Sequence, residues 1–415
     1  MLAKASRSSG KGYAIALTAI IALLALGPFY LSDAWLGVLG KAYIAALFAL
    51  SFNLLSGQAG MLSFGHSAYL GVGAFAAIHV MKAVQAGLFW LPTPFIPLSG
   101  ALAGVLAGGI AGIFACQRSS GVYFAMVTLA ISELIHTIAP NIQELFGGET
   151  GISSYRAAFL AFNFGRESHV YTLILIWTVI CAIVMWLFAR TLFGRLAMAL
   201  RENEGRLPAL GFNVYWTKVV PFAISGMFAG IAGALLSIAT ESANYSLFSV
   251  DASTAVVLHT FIGGSSLFLG PAIGAIIMTV FGYAASDATR SWLLYQGLIF
   301  IALMLSAPRG IALLALDTID DIADRGARAL LRALLIVVAV LLIAMGIVMA
   351  FEIVTQILTT EYQLAHTQTG RWNSISVYRV KWDPLSPFTW LVAIGSVVVG
   401  VLALRRYGQR TGPAP

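Results

Sequence analysis

The chain has 415 residues, of which 59% are hydrophobic and 10% charged, and its mean hydropathy is +0.89. An average soluble domain is about 45–50% apolar and about 25% charged, so this composition excludes a cytosolic enzyme, a nucleic-acid-binding protein and a secreted disulfide scaffold. The formal net charge is +7. In a membrane protein, the placement of Lys and Arg around the spans is more informative than their sum.

Twelve apolar segments are candidates for crossing a bilayer core of about 30 Å, which takes about 20 helical residues. They lie at 13–31, 36–55, 61–81, 96–117, 120–139, 169–189, 218–240, 252–263, 269–286, 291–307, 333–351 and 388–404. The first follows Lys4, Arg7 and Lys11 and lacks a small-residue cleavage site, so we interpret it as an uncleaved anchor. The eighth is short and fits a re-entrant piece that is shielded by protein.

The distribution of Lys and Arg predicts the orientation. With the N-terminus in the cytoplasm and twelve alternating spans, sixteen of the 24 Lys and Arg residues lie on the cytoplasmic side. Both termini are then cytoplasmic, the loop at 190–218 faces the cytoplasm, and the aromatic stretch at 352–387 lies outside. Mixed charges at 317–332 predict a short amphipathic helix at the inner surface.

These segments predict an all-α polytopic membrane protein with about ten spans in a core and two extra C-terminal spans. The predicted boundaries are an N-terminal anchor at 1–35, the core at 36–316, and an extension at 317–415 that carries the two spans and an extracytoplasmic loop. Glycines recur every four residues on the fourth span, from Gly100 to Gly112, and Gly226 and Gly230 repeat this spacing on the seventh. Such ridges let helices approach closely, so they predict a dense bundle.

The junction between the second and third spans is rich in glycine and polar residues. The residues that we single out there are Asn53, Gly57, Gly60, Ser63, Gly65 and His66. Broken helices at membrane depth expose backbone groups that can hold a substrate, so these residues are candidates for lining or bracing a translocation path. A tight turn with polar residues at the membrane interface explains the same composition.

Glu133 lies well inside the fifth span, where an acidic residue costs about 2.5–3.5 kcal/mol on insertion scales. His136 follows one turn later on the same side of the helix. A proton relay, a substrate contact and a structural hydrogen-bonded pair are all open, and we favour the structural pair. The chain contains no G-x-x-x-x-G-K-[ST] loop and no metal-binding motif, so we expect no ATPase activity, no cofactor and no metal in this chain.

Four blocks, in chain order within residues 36–312, resemble the LivM-type permeases of branched-chain amino acid ABC transporters. They are NLLSGQAGMLSFGH (53–66) with GVGAF (71–75); GVYFAMVTLA (121–130) with Glu133 and GGETGI (147–152); GR (194–195), RENE (201–204), Gly211, Lys218 and SGMFAGIAGA (225–234); and IGG (262–264), GPAIGA (270–275) and PRG (308–310). Arg206 and Leu207 stand where members usually have two alanines, and Pro208 predicts that the local helix ends before it.

The resemblance implies a mechanism and partners. A LivH-type second permease subunit would form the path with this chain, two cytoplasmic ATPase subunits would bind ATP and drive it, and an extracytoplasmic binding protein would deliver the substrate. The third block resembles the cytoplasmic loop that docks on the ATPase. The residues assigned to this loop are Arg195, Arg201, Glu202, Asn203, Glu204 and Gly211.

The resemblance therefore identifies a multi-pass permease subunit of the bacterial inner membrane that imports branched-chain or related amino acids. Permeases for urea and short-chain amides look alike, so they are an alternative within the same class. A proton-coupled secondary transporter that uses Glu133 and His136 is an alternative of a different class, and a non-transporting membrane scaffold is a third.

Overall fold

The computed structural model describes residues 24–117, 121–158, 164–289, 291–307, 309–360, 362–364, 372, 374–377 and 380–407. Most of the predicted first span, 13–31, therefore lies outside the described residues. Contacts divide the chain into two compact units. One consists of Met1–Ala288 and Ile299–Leu313, and the other of Thr289–Leu298 and Leu314–Pro415.

The described part of the first unit is built from helices and one pair of two-residue strands. Its elements before residue 289 are α1 (Asp33–Asn53), α2 (Ser67–Gln85), α3 (Pro97–Ala115), α4 (Val122–Ile138), α5 (Gln143–Phe146), β1 (Ile152–Ser153), α6 (Glu167–Arg190), α7 (Leu192–Glu202), α8 (Val214–Thr240), β2 (Ser242–Ala243), α9 (Val250–Gly263) and α10 (Gly270–Ala288). Strands β1 and β2 pair antiparallel. Helices α11 (Trp292–Ser306) and α12 (Ile311–Arg325) contain the sequence boundaries between the units.

Within the described residues, eight helices are long and apolar enough to cross a membrane. They confirm the predicted all-α polytopic membrane fold. Two of them are also the most enclosed: 83% of the best apolar window in α1 and its continuation is buried, and 72% of that in α8. The corresponding values for α3, α4 and α6 are 33% or less, so these helices lie toward the outside of this unit and α1 and α8 toward its interior.

The glycine ridges on α3 and α8 meet. A Cβ built on Gly104 would overlap the carbonyl oxygen of Gly226 and lie 3.0 Å from the Cα of Gly230. Gly100 and Gly108 approach the same part of α8. Two helices without side chains at their crossing can pack backbone against backbone, which is how helices associate in the absence of a hydrophobic driving force. The predicted dense packing of these ridges is confirmed.

Helix α9 is short, as predicted. Its 14 residues span about 21 Å at 1.5 Å per residue, less than the thickness of the bilayer core. It begins at Ser249, whose hydroxyl accepts a hydrogen bond from the backbone N–H of Ala252, and it packs against α1 and α10. A helix too short to span the bilayer is tolerated when neighbouring helices shield its ends from lipid.

The second unit contains α13 (Ala327–Leu358), a hairpin of β3 (Ile375–Val377) and β4 (Val380–Trp382), and α14 (Pro387–Tyr407). Helices α13 and α14 pack against each other. Helix α13 extends past the predicted span at 333–351, so Glu352 lies inside the helix rather than in a loop. Its carboxylate accepts hydrogen bonds from the hydroxyls of Tyr295, at 2.8 Å, and Thr289, which satisfies the charge within the unit.

Candidate functional site

The backbone breaks where α1 gives way to α2. Helix α1 continues into a π-helical turn at Leu54–Gln58, and the chain has no regular helix again until α2 begins at Ser67. Gly60, at a φ of +71°, adopts a left-handed conformation that favours glycine. π-Helical turns are rare and often occur at functional sites. We call residues 54–66 the broken segment.

His66 closes the broken segment and binds three helices together. Its Nε2 lies 3.0 Å from the hydroxyl of Ser51 on α1 and 3.5 Å from that of Ser225 on α8, while its fully buried ring stacks on Phe48. The hydroxyl of Ser225 donates a 2.6 Å hydrogen bond to the Ser51 carbonyl. His66 therefore braces the junction of α1, α2 and α8.

Other polar atoms in and next to the broken segment have no hydrogen-bond partner among the described residues. These buried atoms are Asn53 Oδ1, at the end of α1, and Gln58 Oε1, Ser63 Oγ and His66 Nδ1 within the segment. Buried polar groups in folded proteins are almost always satisfied by protein or by ordered water. Four such atoms within residues 53–66 make this stretch polar inside an otherwise apolar bundle.

Two predicted glycines are required here by close approach. A Cβ on Gly65 would overlap the carbonyl of Thr128 on α4, and one on Gly57 would overlap the side chain of Asn53 and lie 2.9 Å from the carbonyl oxygen of Ser265. The broken segment is thus clamped between neighbouring backbone segments. The structure brings the six predicted residues together at this break. Asn53, Gly57, Ser63, Gly65 and His66 are buried there, whereas Gly60 is exposed.

The predicted docking residues lie on a separate helix and its following turns. Helix α7 starts at the N-cap Thr191, whose hydroxyl accepts from Gly194 N, and ends at Glu202, before Pro208, as predicted. We call residues 191–213 the coupling loop. The six residues assigned to it are all exposed: Arg195, Arg201, Glu202, Asn203, Glu204 and Gly211.

Two contacts tie the coupling loop to the helices. The guanidinium of Arg201 donates a hydrogen bond to the carbonyl of Gly57 in the broken segment. The ammonium of Lys218 on α8 lies 2.6 Å from the carboxylate of Glu204. The Lys218 side chain is only 9% exposed and that of Glu204 45%, so the pair spans from the interior to the surface. Sequence reasoning placed these residues in one motif but did not predict either contact.

A buried hydroxyl network joins the start of α2 to α4 and α9. The hydroxyl of Ser253 on α9 donates to that of Ser67 at 2.7 Å and accepts from the Ser67 backbone N–H at 3.0 Å. Ser132 on α4 lies 3.0 Å from Ser67 and donates to the carbonyl of Phe248 at 3.0 Å. The sequence analysis missed this network. Its signal was single serines inside otherwise apolar helices, which are too common to be distinctive.

Glu133 and His136 do not form the favoured structural pair. The His136 ring packs on Tyr245, with ring centroids 5.4 Å apart. The half-buried Glu133 side chain makes no hydrogen bond or ion pair with any other described residue. Although i and i+3 share a helix side, the aromatic contact turns the imidazole toward the segment that leads into α9.

An ion-pair cluster lies beyond the far end of α8. The guanidinium Nε of Arg156 lies 2.9 Å from the carboxylate of Glu241, and its Nη2 lies 3.7 Å from that of Glu167. Burial raises the pKa of Glu241, but the hydrogen bonds and charge of Arg156 outweigh it and hold that pKa below its ordinary value. This cluster, beside the β1–β2 pair, was not predicted because its partners are 85 residues apart.

The sequence model of a family described as "Branched-chain amino acid transport system / permease component" matches residues 34–308. The chain belongs to this family. It is 25% identical to the high-affinity branched-chain amino acid transport system permease protein LivM of Escherichia coli K12, over 71% of this chain and 74% of the relative. The family assignment supports the ABC permease interpretation rather than the secondary-transporter and scaffold alternatives.

Two further relatives show the breadth of the similarity. The chain is 29% identical to the ribose import permease protein RbsC of Haemophilus influenzae, over 64% of this chain and 81% of the relative. It is 25% identical to the probable branched-chain amino acid transport permease protein LivH of Methanocaldococcus jannaschii, over 66% of this chain and 90% of the relative. No solved structure gives a significant match. This chain is thus a multi-pass permease component of an ABC importer.

Proposed function

We propose that the chain is the LivM-type subunit of an importer for branched-chain or related amino acids. Its partners are a LivH-type permease, two cytoplasmic ATPase subunits that bind ATP, and an extracytoplasmic binding protein. The chain itself has no enzymatic activity and needs no cofactor. The similarity to LivM supports the amino-acid substrate, and the similarity to ribose permeases makes sugars the necessary control substrates.

The observation that carries the mechanism is the bond from Arg201 to the carbonyl of Gly57. It connects an exposed docking surface, Glu202 and Asn203, directly with the break between two membrane helices. A movement that the ATPase imposes on the coupling loop therefore reaches the broken segment without an intermediate element. The unsatisfied polar atoms in and next to that segment support its place on the translocation path. Glu133, which has no hydrogen-bond or ion-pair partner among the described residues, supports it as well.

The orientation follows from the same proposal. The coupling loop faces the cytoplasm, both termini are cytoplasmic, and the Arg156 cluster faces outside. The anchor at 1–35, the permease core at 36–316 and the extension at 317–415 remain our proposed division. We assign the extension to a peripheral addition rather than to the path, because the half-buried carboxylate of Glu352 is satisfied by residues of its own unit.

Charge reversal at Glu202 tests the docking assignment. Glu202→Lys should leave membrane insertion intact and reduce co-purification of the ATPase by about tenfold, as expected when a charged interface contact becomes repulsive. Glu144→Lys is the matched control, because Glu144 is an exposed glutamate on α5, in the outside loop of this topology. Unchanged co-purification with Glu202→Lys would contradict the docking assignment.

Transport itself is tested with the reconstituted complex in vesicles. We expect ATP-dependent accumulation of leucine, isoleucine or valine that persists when the proton gradient is collapsed at constant ATP. Ribose, urea and acetamide are the control solutes. Accumulation of urea or acetamide but of no amino acid would replace the proposed substrate with the amide alternative.

A further inference from the structure

A cavity of about 290 Å³ lies between the broken segment and the coupling loop. The backbone of Ala59–Met61 borders it on one side, and Arg201 and Glu204 border it on the other. Lys218 also contributes to the wall. The proposed docking residues Glu202 and Asn203 do not line it. Arg201 and Glu204 are among the six residues assigned to docking, so the cavity adjoins the proposed ATPase-binding surface without including Glu202 or Asn203.

The charges around the cavity leave one cation uncompensated. Glu204 and Lys218 neutralise each other at 2.6 Å. Arg201 has no carboxylate within 4.0 Å among the described residues, and its bond to the Gly57 carbonyl uses one of its five N–H donors. A guanidinium with free donors is suited to a carboxylate, which it can bind through two parallel hydrogen bonds.

The remaining wall completes a site for a small zwitterion. Glu204 contacts Lys218 through Oε1, so its Oε2 is available to accept from an ammonium group. The side chains of Met61, Phe124 and Leu200 are buried and provide an apolar boundary. The volume is close to the lower end of the range for small-molecule pockets, about 300–1,000 Å³.

We propose that this cavity binds a free α-amino acid with an aliphatic side chain. Its carboxylate binds Arg201, its ammonium binds Glu204, and its side chain packs on Phe124. A ligand in this position bridges the broken segment and the coupling loop and holds them together. This inference rests on the proposed function for its orientation: because the cavity opens on the cytoplasmic side, imported amino acid that accumulates there slows further uptake.

Direct binding tests the site. Radiolabelled leucine is titrated against the complete transporter in nanodiscs without the binding protein. Leucinol lacks the carboxylate and 4-methylpentanoate lacks the ammonium, and we expect each to compete about tenfold more weakly than leucine, as for loss of one charge-assisted hydrogen bond. Absence of leucine binding, or equal competition by leucinol, would overturn the proposal.

Variants place the binding in this cavity rather than elsewhere on the path. Arg201→Gln should weaken leucine binding by about tenfold and abolish the preference for leucine over leucinol. Arg201→Lys keeps the charge and should retain the preference. Arg206→Gln is the matched control, because Arg206 is exposed on the same loop and does not line the cavity. Leucine binding by Arg201→Gln within about twofold of wild type overturns the assignment.

Two measurements separate this inference from the proposed function. Vesicles loaded with leucine at about ten times its measured Kd should import labelled leucine about tenfold more slowly than vesicles loaded with leucinol, because the site is then about 90% occupied. Equal rates overturn the inhibitory role. If the transporter imports leucine but Arg201→Gln does not weaken leucine binding, the cavity assignment is wrong and the proposed function stands. If Arg201→Gln weakens leucine binding but the transporter imports no leucine, the proposed function is wrong. If Arg201→Gln does not assemble, the comparison of leucine with leucinol in the wild type decides.

Discussion

The crossing of α3 and α8 can be tested by placing one methyl group at two positions of the same helix. A Cβ at Gly104 would overlap the Gly226 carbonyl, whereas a Cβ at Gly109 would lie 3.9 Å from the Cβ of Ala223, an ordinary contact. Gly→Ala inside a helix stabilises by roughly 0.5–1 kcal/mol. This gain is common to both variants, so it cancels when they are compared. Only Gly104→Ala adds an overpacking cost of about 1–3 kcal/mol.

We therefore expect Gly104→Ala to be less stable than Gly109→Ala by about 1–3 kcal/mol, or about 5- to 150-fold in the unfolding equilibrium. The assay is reversible unfolding of the full chain in mixed micelles as the fraction of denaturing detergent rises. Both variants add the same methyl group to the same helix, so differences in hydrophobicity are controlled. Equal stability of the two variants would refute the close crossing.

Three further predictions concern charged groups. Glu204→Gln removes the partner of the buried Lys218 ammonium, so we expect a lower thermal midpoint of the full chain, restored when Lys218→Met is added; no restoration would contradict the pairing. The Glu241–Arg156 pair stabilises fully above the ordinary glutamate pKa of about 4.3, and this contribution is lost as the pH falls through the lower folded pKa. The thermal midpoint should therefore fall more for wild type than for Glu241→Gln between about pH 6 and 3. Glu133→Gln should change stability by less than about 0.5 kcal/mol yet reduce uptake by the complete transporter, and unchanged uptake would remove Glu133 from the path.

Features that depend on local pattern were predictable from the sequence. Hydrophobic length located the described spans, and the four-residue glycine spacing identified the helix faces that meet at Gly104 and Gly226. The glycine-rich run from Gly57 to Gly65 located the break. These signals are local because apolar length, helical period and backbone freedom are each encoded in a short stretch of chain.

Features that depend on distant pairing were not predictable. The bonds from Arg201 to Gly57 and from Lys218 to Glu204 depend on how α7 packs against the bundle. That packing cannot be inferred from a single sequence. The sequence did not predict that α13 continues past Glu352, for a related reason. A carboxylate ends an apolar run in the sequence, but in the fold Tyr295 satisfies it and the helix continues.

The contacts of the coupling loop define which elements a movement of α7 must displace. Arg201 bonds to the broken segment and Glu204 pairs with Lys218 on α8, so the loop contacts both of these parts. At the glycine crossing, the backbone of α8 lies directly against that of α3. Packed interiors shift between discrete arrangements rather than deform continuously. We therefore expect a pull on Glu204 to act on α8 and the packed α3, and a pull on Arg201 to act on the broken segment. His66, which contacts both α1 and α8, lies where these two effects meet.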